Sequence, residues 1–166
     1  TYALDGFAHT VEALTGFAVG SKSRSGMHKA ALYCGFWAVA LGTGSALLLF
    51  LFGDALIGLM TNITDVRAGA RAYLPWVVCL PLIGVAAFLY DGIYIGAAAA
   101  RNLRNAMLLS AVVYLATLGI AYQLDALSNH ILWLGMTLFM VSRGALLAFG
   151  YPRLQRQLFE PTKPHQ

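Results

Sequence analysis

Residues 30–53 read AALYCGFWAVALGTGSALLLFLFG, and none of these side chains is charged. A transmembrane helix needs about 20 consecutive apolar residues to cross the hydrocarbon core of a bilayer. The stretch therefore predicts a membrane-spanning helix. Three further stretches are long and apolar enough to cross as well: residues 72–100 with only Asp91 charged, residues 106–124 with no charge, and residues 131–151 with only Arg143 charged.

The composition of the whole chain agrees with a membrane location. Of 166 residues, 59% are hydrophobic and 11% are charged, and the mean hydropathy is +0.68. Soluble domains are about 45–50% apolar and about 25% charged, so a soluble enzyme and a disordered tail are excluded. The basic residues are too scattered for a nucleic-acid partner. The lipid bilayer is the partner that this composition predicts.

The N-terminal residues 1–20 form a fifth helical segment, which is more polar than the others. The sequence thus predicts an all-α, polytopic transmembrane bundle of about five helices over residues 1–152, followed by a cytoplasmic tail, residues 153–166. The segment lacks an initiator Met and a signal-peptide pattern, so we expect the chain to be a fragment of a longer polytopic protein. The predicted helices cover about 1–20, 27–52, 70–99, 104–124 and 130–151.

Lysine and arginine residues are unevenly distributed between the two ends of these helices. Cytoplasmic loops of membrane proteins carry an excess of such residues. The turns after the first and third helices and the C-terminal tail should therefore be cytoplasmic. The basic residues on that side are Lys22, Arg24, Lys29, Arg101, Arg104, Arg153, Arg156 and Lys163, against Arg67 and Arg71 on the other.

Two carboxylates are expected near the middle of the membrane. Glu12 precedes Lys22, and Asp91 precedes Arg101, by about ten residues each, or about 15 Å of helix. That depth is close to the middle of a hydrocarbon core of about 30 Å. An acid there is a functional hypothesis by default, and coupling to H⁺ or Na⁺, with no other cofactor, is the function we expect. Alternatively, Arg143 forms a structural ion pair with either acid.

Other polar groups lie beside these acids in the sequence. Asp5, His9 and Glu12 follow one another at i, i+4 and i+7 and so share one face of the first helix. Together they are candidates for an ion-coupling site or a substrate cavity. No second His or Cys stands at a metal-ligand spacing from His9, and we expect no metal site.

Aromatic residues flank the second acid. Tyr90 and Tyr94 bracket Asp91 at helical spacing, and aromatic rings there could line a cavity and stack on a flat cation. Small residues nearby, in Gly16-x-x-x-Gly20 and Gly92-x-x-x-Gly96, predict close contacts between helices.

Several segments resemble one transporter family. They are Asp5-Gly6-Phe7-Ala8-His9, then Val66-Arg67 through Pro75-Trp76, and Asp91-Gly92-Ile93-Tyr94-Ile95-Gly96-Ala97. In this order they are similar to the carboxy-terminal lobe of multidrug and toxic compound extrusion (MATE) transporters of the DinF-like branch. The resemblance covers nearly the whole chain, from the eighth helix of such a transporter to the end of its twelfth.

The resemblance implies a function and a partner. Such transporters have two six-helix lobes and export organic cations and other amphiphiles in exchange for H⁺ or Na⁺. The chain would be most of one lobe, and its partner would be the missing amino-terminal lobe. Asp91 stands where the family often places a coupling acid on its tenth helix, whereas the role of Glu12 rests on depth alone. The resemblance implies a transporter and no enzymatic activity.

Three other functions stay open at this point. A lipid-linked sugar flippase or polysaccharide exporter of the same superfamily would be expected to line its cavity with several basic residues, and only Arg143 lies in the core. An intramembrane enzyme could use Glu12 and Asp91 as an acid pair, provided that the carboxylates share a proton. A purely structural membrane subunit would leave both acids unexplained.

Overall fold

The computed structural model describes the backbone of residues 2–160 and the side chains of residues 6–160. The described chain is all-helical, and four of its helices, α2 to α5, are long and apolar enough to cross a membrane. This confirms the predicted all-α transmembrane bundle. The five helices are α1 (Tyr2–Gly20), α2 (Arg24–Met60), α3 (Thr64–Gly96), α4 (Ala100–Gln123) and α5 (Asn129–Phe159).

Helices α2 and α3 extend beyond the limits predicted for them, chiefly at the turn that joins them. Apolar runs reveal only the part of a helix that lies in hydrocarbon, and a helix continues wherever its backbone bonds continue. Here the polar extension is held by an ion pair, because Arg71 Nε donates to Asp54 Oδ1 at 2.7 Å. The predicted tail is also partly helical, since α5 continues to Phe159, while residues 161–166 lie outside the described part.

The turns α1–α2 and α3–α4 lie at one end of the bundle, together with the end of α5, and we call this end the basic side. Lys22 and Ala98 adopt left-handed backbone conformations there, each with φ of 53°. The side chain of Ser23 caps α2 by accepting a hydrogen bond from the backbone N–H of Gly26 at 3.1 Å. A cap of this kind satisfies a donor that the helix itself leaves unpaired.

Helix α3 lies at the centre of the fold, where it packs against α1, α2 and α5, and α4 packs mainly on α5. The largest fully buried side chains come from four of the helices. They are Tyr94, Met27, Ile93, Leu147 and Val11. Because α3 contacts the other helices on several sides, Asp91 and Tyr94 in its C-terminal part are surrounded by protein. Most of α2 instead presents apolar side chains outward.

The contact between α1 and α3 is a close backbone approach. A Cβ added to Gly92 would overlap the carbonyl oxygen of Ala8, and one added to Gly96 would overlap that of Glu12. The prediction for this glycine pair is confirmed. The other predicted pair contributes only Gly16, which lies next to the Gly96 carbonyl; a Cβ on Gly20 would meet nothing within 4 Å, because that residue already ends the helix.

Candidate functional site

Asp91 is held in the middle of the bundle by its position on α3. Its neighbour Gly92 faces α1, and successive residues of a helix are turned by about 100° from one another. Asp91 therefore points away from α1 and towards α5. The residue is only 7% exposed, which makes it the one buried acid among the described residues.

Arg143 of α5 neutralises this carboxylate. Its Nε donates to Asp91 Oδ1 at 3.1 Å, and its Nη2 contacts Asp91 Oδ2, so that both carboxylate oxygens are engaged. The side chain of Asp91 is 10% exposed and that of Arg143 is 15% exposed. A two-point guanidinium–carboxylate contact is among the strongest polar interactions in proteins, and pairing of this kind is what permits a charge inside a membrane.

Small residues bring the two helices close enough for this contact. A Cβ added to Gly144, the residue after Arg143, would lie 3.1 Å from the side chain of Ala86 and 3.2 Å from the backbone nitrogen of Ala87. A larger residue at position 144 would therefore be tightly packed against α3. The glycine keeps α5 against α3 where the ion pair forms.

The two tyrosines that bracket Asp91 have different surroundings. Tyr94 is fully buried, and its hydroxyl donates to the carbonyl oxygen of Leu147 on α5 at 3.0 Å. Tyr90 instead packs edge-on against Tyr151, with ring centroids 5.7 Å apart. They line separate cavities, of about 300 Å³ for Tyr94 and about 520 Å³ for Tyr90. Each ring therefore lines a cavity of its own in the described part of the chain, and stacking on a cation stays a prediction.

Glu12 of α1 does not join this site. Glu12 Oε2 lies 3.4 Å from Nδ1 of His9, and the two side chains are 37% and 81% exposed. Among the described side chains, no hydrogen bond or ion pair connects Glu12 with Asp91 or Arg143. The proton-sharing acid pair that an intramembrane enzyme would need is not formed. Asp5 belongs to α1, but its side chain lies outside the described residues.

Comparison with known proteins places the chain in a family. Residues 2–120, well over half of the chain, match the family model MatE. The chain belongs to the MATE family of transporters. It is 40% identical over 153 residues to the DNA damage-inducible protein F of Escherichia coli K12, which covers 89% of the chain. The chain spans 31% of that relative's length, and no solved structure matches it.

In this MATE chain, two polar contacts between α3 and α5 were not predicted from the sequence. One is the hydrogen bond of Tyr94 to Leu147. The other lies at the end opposite the basic side, where Trp76 Nε1 donates to His130 Nδ1 at 3.1 Å and Tyr73 packs on the same imidazole with ring centroids 5.0 Å apart. The paired residues lie far apart in the sequence, so no helical spacing pattern could have indicated these contacts.

Proposed function

We propose that the protein to which this chain belongs is a secondary antiporter, which exports organic cations or other small amphiphiles in exchange for H⁺ or Na⁺. Membership of the MATE family supports a transporter. The observation that carries the coupling proposal is the buried carboxylate of Asp91, which lies inside a membrane-spanning helix and is paired with a residue of another helix.

The ion pair suggests how binding of an ion would act on the fold. The guanidinium of Arg143 stays charged under all physiological conditions, whereas a carboxyl group can gain or lose a proton. Protonation of Asp91 would remove its charge and leave Arg143 without a counter-ion in the core. The α3–α5 contact would then weaken, and one ion would shift the balance between two arrangements of these helices.

Coupling to Na⁺ requires a larger change at the same site. Both oxygens of the Asp91 carboxylate are occupied by Arg143 in this structure. A sodium ion would bind only after the guanidinium had moved away, since the two cations compete for the same oxygens. The geometry thus favours H⁺ as the coupling ion in this conformation.

The other functions considered above find less support. A flippase for phosphorylated lipids would use free basic groups in its cavity, and the charge of Arg143 is already neutralised by Asp91. The separation of Glu12 from Asp91 removes the geometric basis for an acid-pair enzyme. Glu12, His9 and Asp5 keep a proposed role on α1. The side chains of Glu12 and His9 are partly or largely exposed here and would be accessible to the remainder of the transporter.

A double substitution tests the coupling role without leaving a buried charge. The full-length protein carrying Asp91→Asn with Arg143→Gln should fold, reach the membrane and fail to export a cationic dye from vesicles when a H⁺ or Na⁺ gradient is applied. The matched control is Asp54→Asn with Arg71→Gln, which removes an exposed ion pair between α2 and α3. Normal gradient-driven efflux by the first variant would exclude Asp91 as the coupling residue.

We also propose that the protein spans the bacterial inner membrane with its C-terminus and the basic side in the cytoplasm. Single cysteines at Asn102 and Asp65, in a protein that lacks Cys34 and Cys79, can be treated on intact cells with an impermeant thiol reagent. Position 65 should react and position 102 should not. The reverse pattern would show that the orientation is inverted.

The missing part of the protein is expected to be essential for transport. Alternating access requires two lobes that move around a site between them. Vesicles that contain only residues 1–166 should therefore show no ion-driven dye efflux, whereas vesicles with the full-length protein should show it.

A further inference from the structure

A groove of about 520 Å³ lies on the surface of the bundle between α2 and α5, with α3 as its floor. Side chains of α2 from His28 to Val39 form one wall, and Val85 and Leu89 belong to the floor. The α2 wall extends over about 16 Å, at 1.5 Å per residue. This is about half of a hydrocarbon core of about 30 Å, which is the depth of one leaflet.

The groove changes in character along its length. Away from the basic side, it is lined by aliphatic and aromatic side chains such as Phe36 and Val39, which are more than half exposed in the chain. At its end on the basic side it is lined by His28 and Tyr151, and Tyr90 lines it further in. The polar side chains of His28 and Tyr151 thus lie towards the lipid headgroups of that side, and apolar groups lie at the depth of the acyl chains.

The polar end carries positive charge. Arg24 precedes His28 by one helical turn and therefore shares its face of α2. The Arg24 side chain is exposed, and neither a carboxylate nor another acceptor pairs with it among the described residues. This cation is available to an anion at the mouth of the groove.

The polar end also offers hydrogen-bond donors. The Tyr151 oxygen already accepts a hydrogen bond from Gln155 Nε2 at 2.8 Å, so its own O–H is left to donate. Within residues 6–160, no acceptor lies within hydrogen-bond distance of that hydroxyl, nor of the hydroxyl of Tyr90. A phosphate oxygen is the kind of acceptor that suits a phenol beside an arginine.

From these observations we propose that the groove binds an anionic phospholipid from the leaflet on the basic side of the bundle. One acyl chain lies along α3 between Val39 and Leu89, and the phosphate accepts hydrogen bonds from Tyr151 and charge from Arg24. Attraction between anionic headgroups and basic residues at a membrane surface is general, but the groove gives this lipid a fixed position.

Native mass spectrometry of the delipidated full-length protein tests the proposal. The protein is titrated with 1-palmitoyl-2-oleoyl-phosphatidylglycerol or with the corresponding phosphatidylethanolamine, and bound lipids are counted. Phosphatidylglycerol should bind more tightly at one site. Arg24→Gln should weaken that binding about fivefold, since a basic residue near a membrane surface contributes about that factor. Arg104→Gln, an exposed arginine outside the groove, should leave it unchanged.

A second pair of variants tests the acyl-chain position. Val39→Trp fills the groove and should displace the lipid, whereas Leu47→Trp, at an equally exposed site on α2 outside the groove, should not. Arg24→Gln removes a cation from a helix N-terminus and does not threaten folding. Equal binding of both lipids, displacement by inorganic phosphate alone, or no effect of Val39→Trp because another segment of the protein covers the groove would each overturn the proposal.

Discussion

Helix α3 packs against both α1 and α5, and these two contacts are built from different chemistry. Towards α5 its side chains form hydrogen bonds at three residues, Trp76, Asp91 and Tyr94. Towards α1 it presents Gly92 and Gly96 to backbone carbonyls, with no side-chain hydrogen bond between the two helices among the residues described. Adjacent residues of one helix, 91 and 92, therefore belong to contacts of opposite kinds.

The difference implies that the α3–α5 and α1–α3 contacts respond differently to a change of charge. A contact that depends on a buried charge pair changes when either charge changes, because the remaining charge is left unpaired. A contact between glycines and backbone carbonyls contains nothing that can be protonated or can bind an ion. Of these two contacts, only the α3–α5 contact contains groups whose charge a proton or another ion could change.

The largest effect is expected from removing one partner of the ion pair. Asp91→Asn leaves the guanidinium of Arg143 buried without a counter-ion, and the unfolding free energy of the full-length protein should fall by about 3–5 kcal/mol. Arg143→Gln should cost less, because the carboxyl group can take up a proton and become neutral. Unfolding in detergent followed by intrinsic fluorescence measures both, and the double variant should recover most of the loss. Additive losses would contradict the pairing.

A smaller loss is expected from filling the glycine contact. In Gly92→Ala the new methyl group would overlap the carbonyl of Ala8, so that α1 must move away, at a cost of about 1–3 kcal/mol in the same assay. Gly119→Ala is the matched control, since a Cβ there meets nothing within 4 Å and alanine favours the helix. If the two variants were equally stable, the α1–α3 contact would be looser than described.

Removal of the Tyr94 hydroxyl should have a moderate effect. Tyr94→Phe keeps the ring and deletes the hydrogen bond to Leu147, which predicts a loss of about 1 kcal/mol. The control is Tyr33→Phe, because that tyrosine is 67% exposed and its hydroxyl makes no hydrogen bond in the described part of the chain. The thermal unfolding midpoints of the two variants are then compared. Their difference gives the contribution of the buried hydroxyl, apart from any general effect of replacing tyrosine with phenylalanine.

The smallest effect is expected at the end opposite the basic side. Trp76→Phe removes the indole N–H that donates to His130, and because the pair is exposed, the loss should be roughly 0.5 kcal/mol. Trp37→Phe serves as the control, since Trp37 only packs edge-on against Phe36. A loss as large as that of Asp91→Asn would mean that the α3–α5 contact is anchored at this end rather than at the ion pair.

The sequence was sufficient for the fold class, because each membrane-spanning helix contains a long run with at most one charge. It was insufficient for the helix ends. Thr64 begins α3 well before the apolar run starts, since residues such as Asp65 and Arg67 are as compatible with a helix outside the hydrocarbon as with a loop. Hydropathy measures where lipid begins, whereas a helix ends where its backbone bonds end.

The partner of Arg143 could not be chosen from the sequence. The sequence places Glu12 and Asp91 at the same depth in the membrane, so either acid could have been the partner of Arg143. The choice depends on rotation about the helix axis: Gly92 must face α1, which turns Asp91 towards α5, whereas the side chain of Glu12 lies beside His9 on α1. The rotation of each helix is set by how the helices pack in three dimensions, and the spacing of residues along one helix does not reveal it.

The helices differ in length, and the longest ones extend beyond the bilayer. Helix α2 has 37 residues and is about 55 Å long, whereas α4 has 24 residues and is about 36 Å long. A bilayer with its headgroups is about 40–45 Å thick, so that even at a tilt of about 20° the α2–α3 hairpin projects from one face of it. Leu59 and Met60, at its tip, are 84% and 86% exposed. In electron micrographs, where the micelle conceals most of a protein of this kind, this projection would distinguish the two faces of each particle.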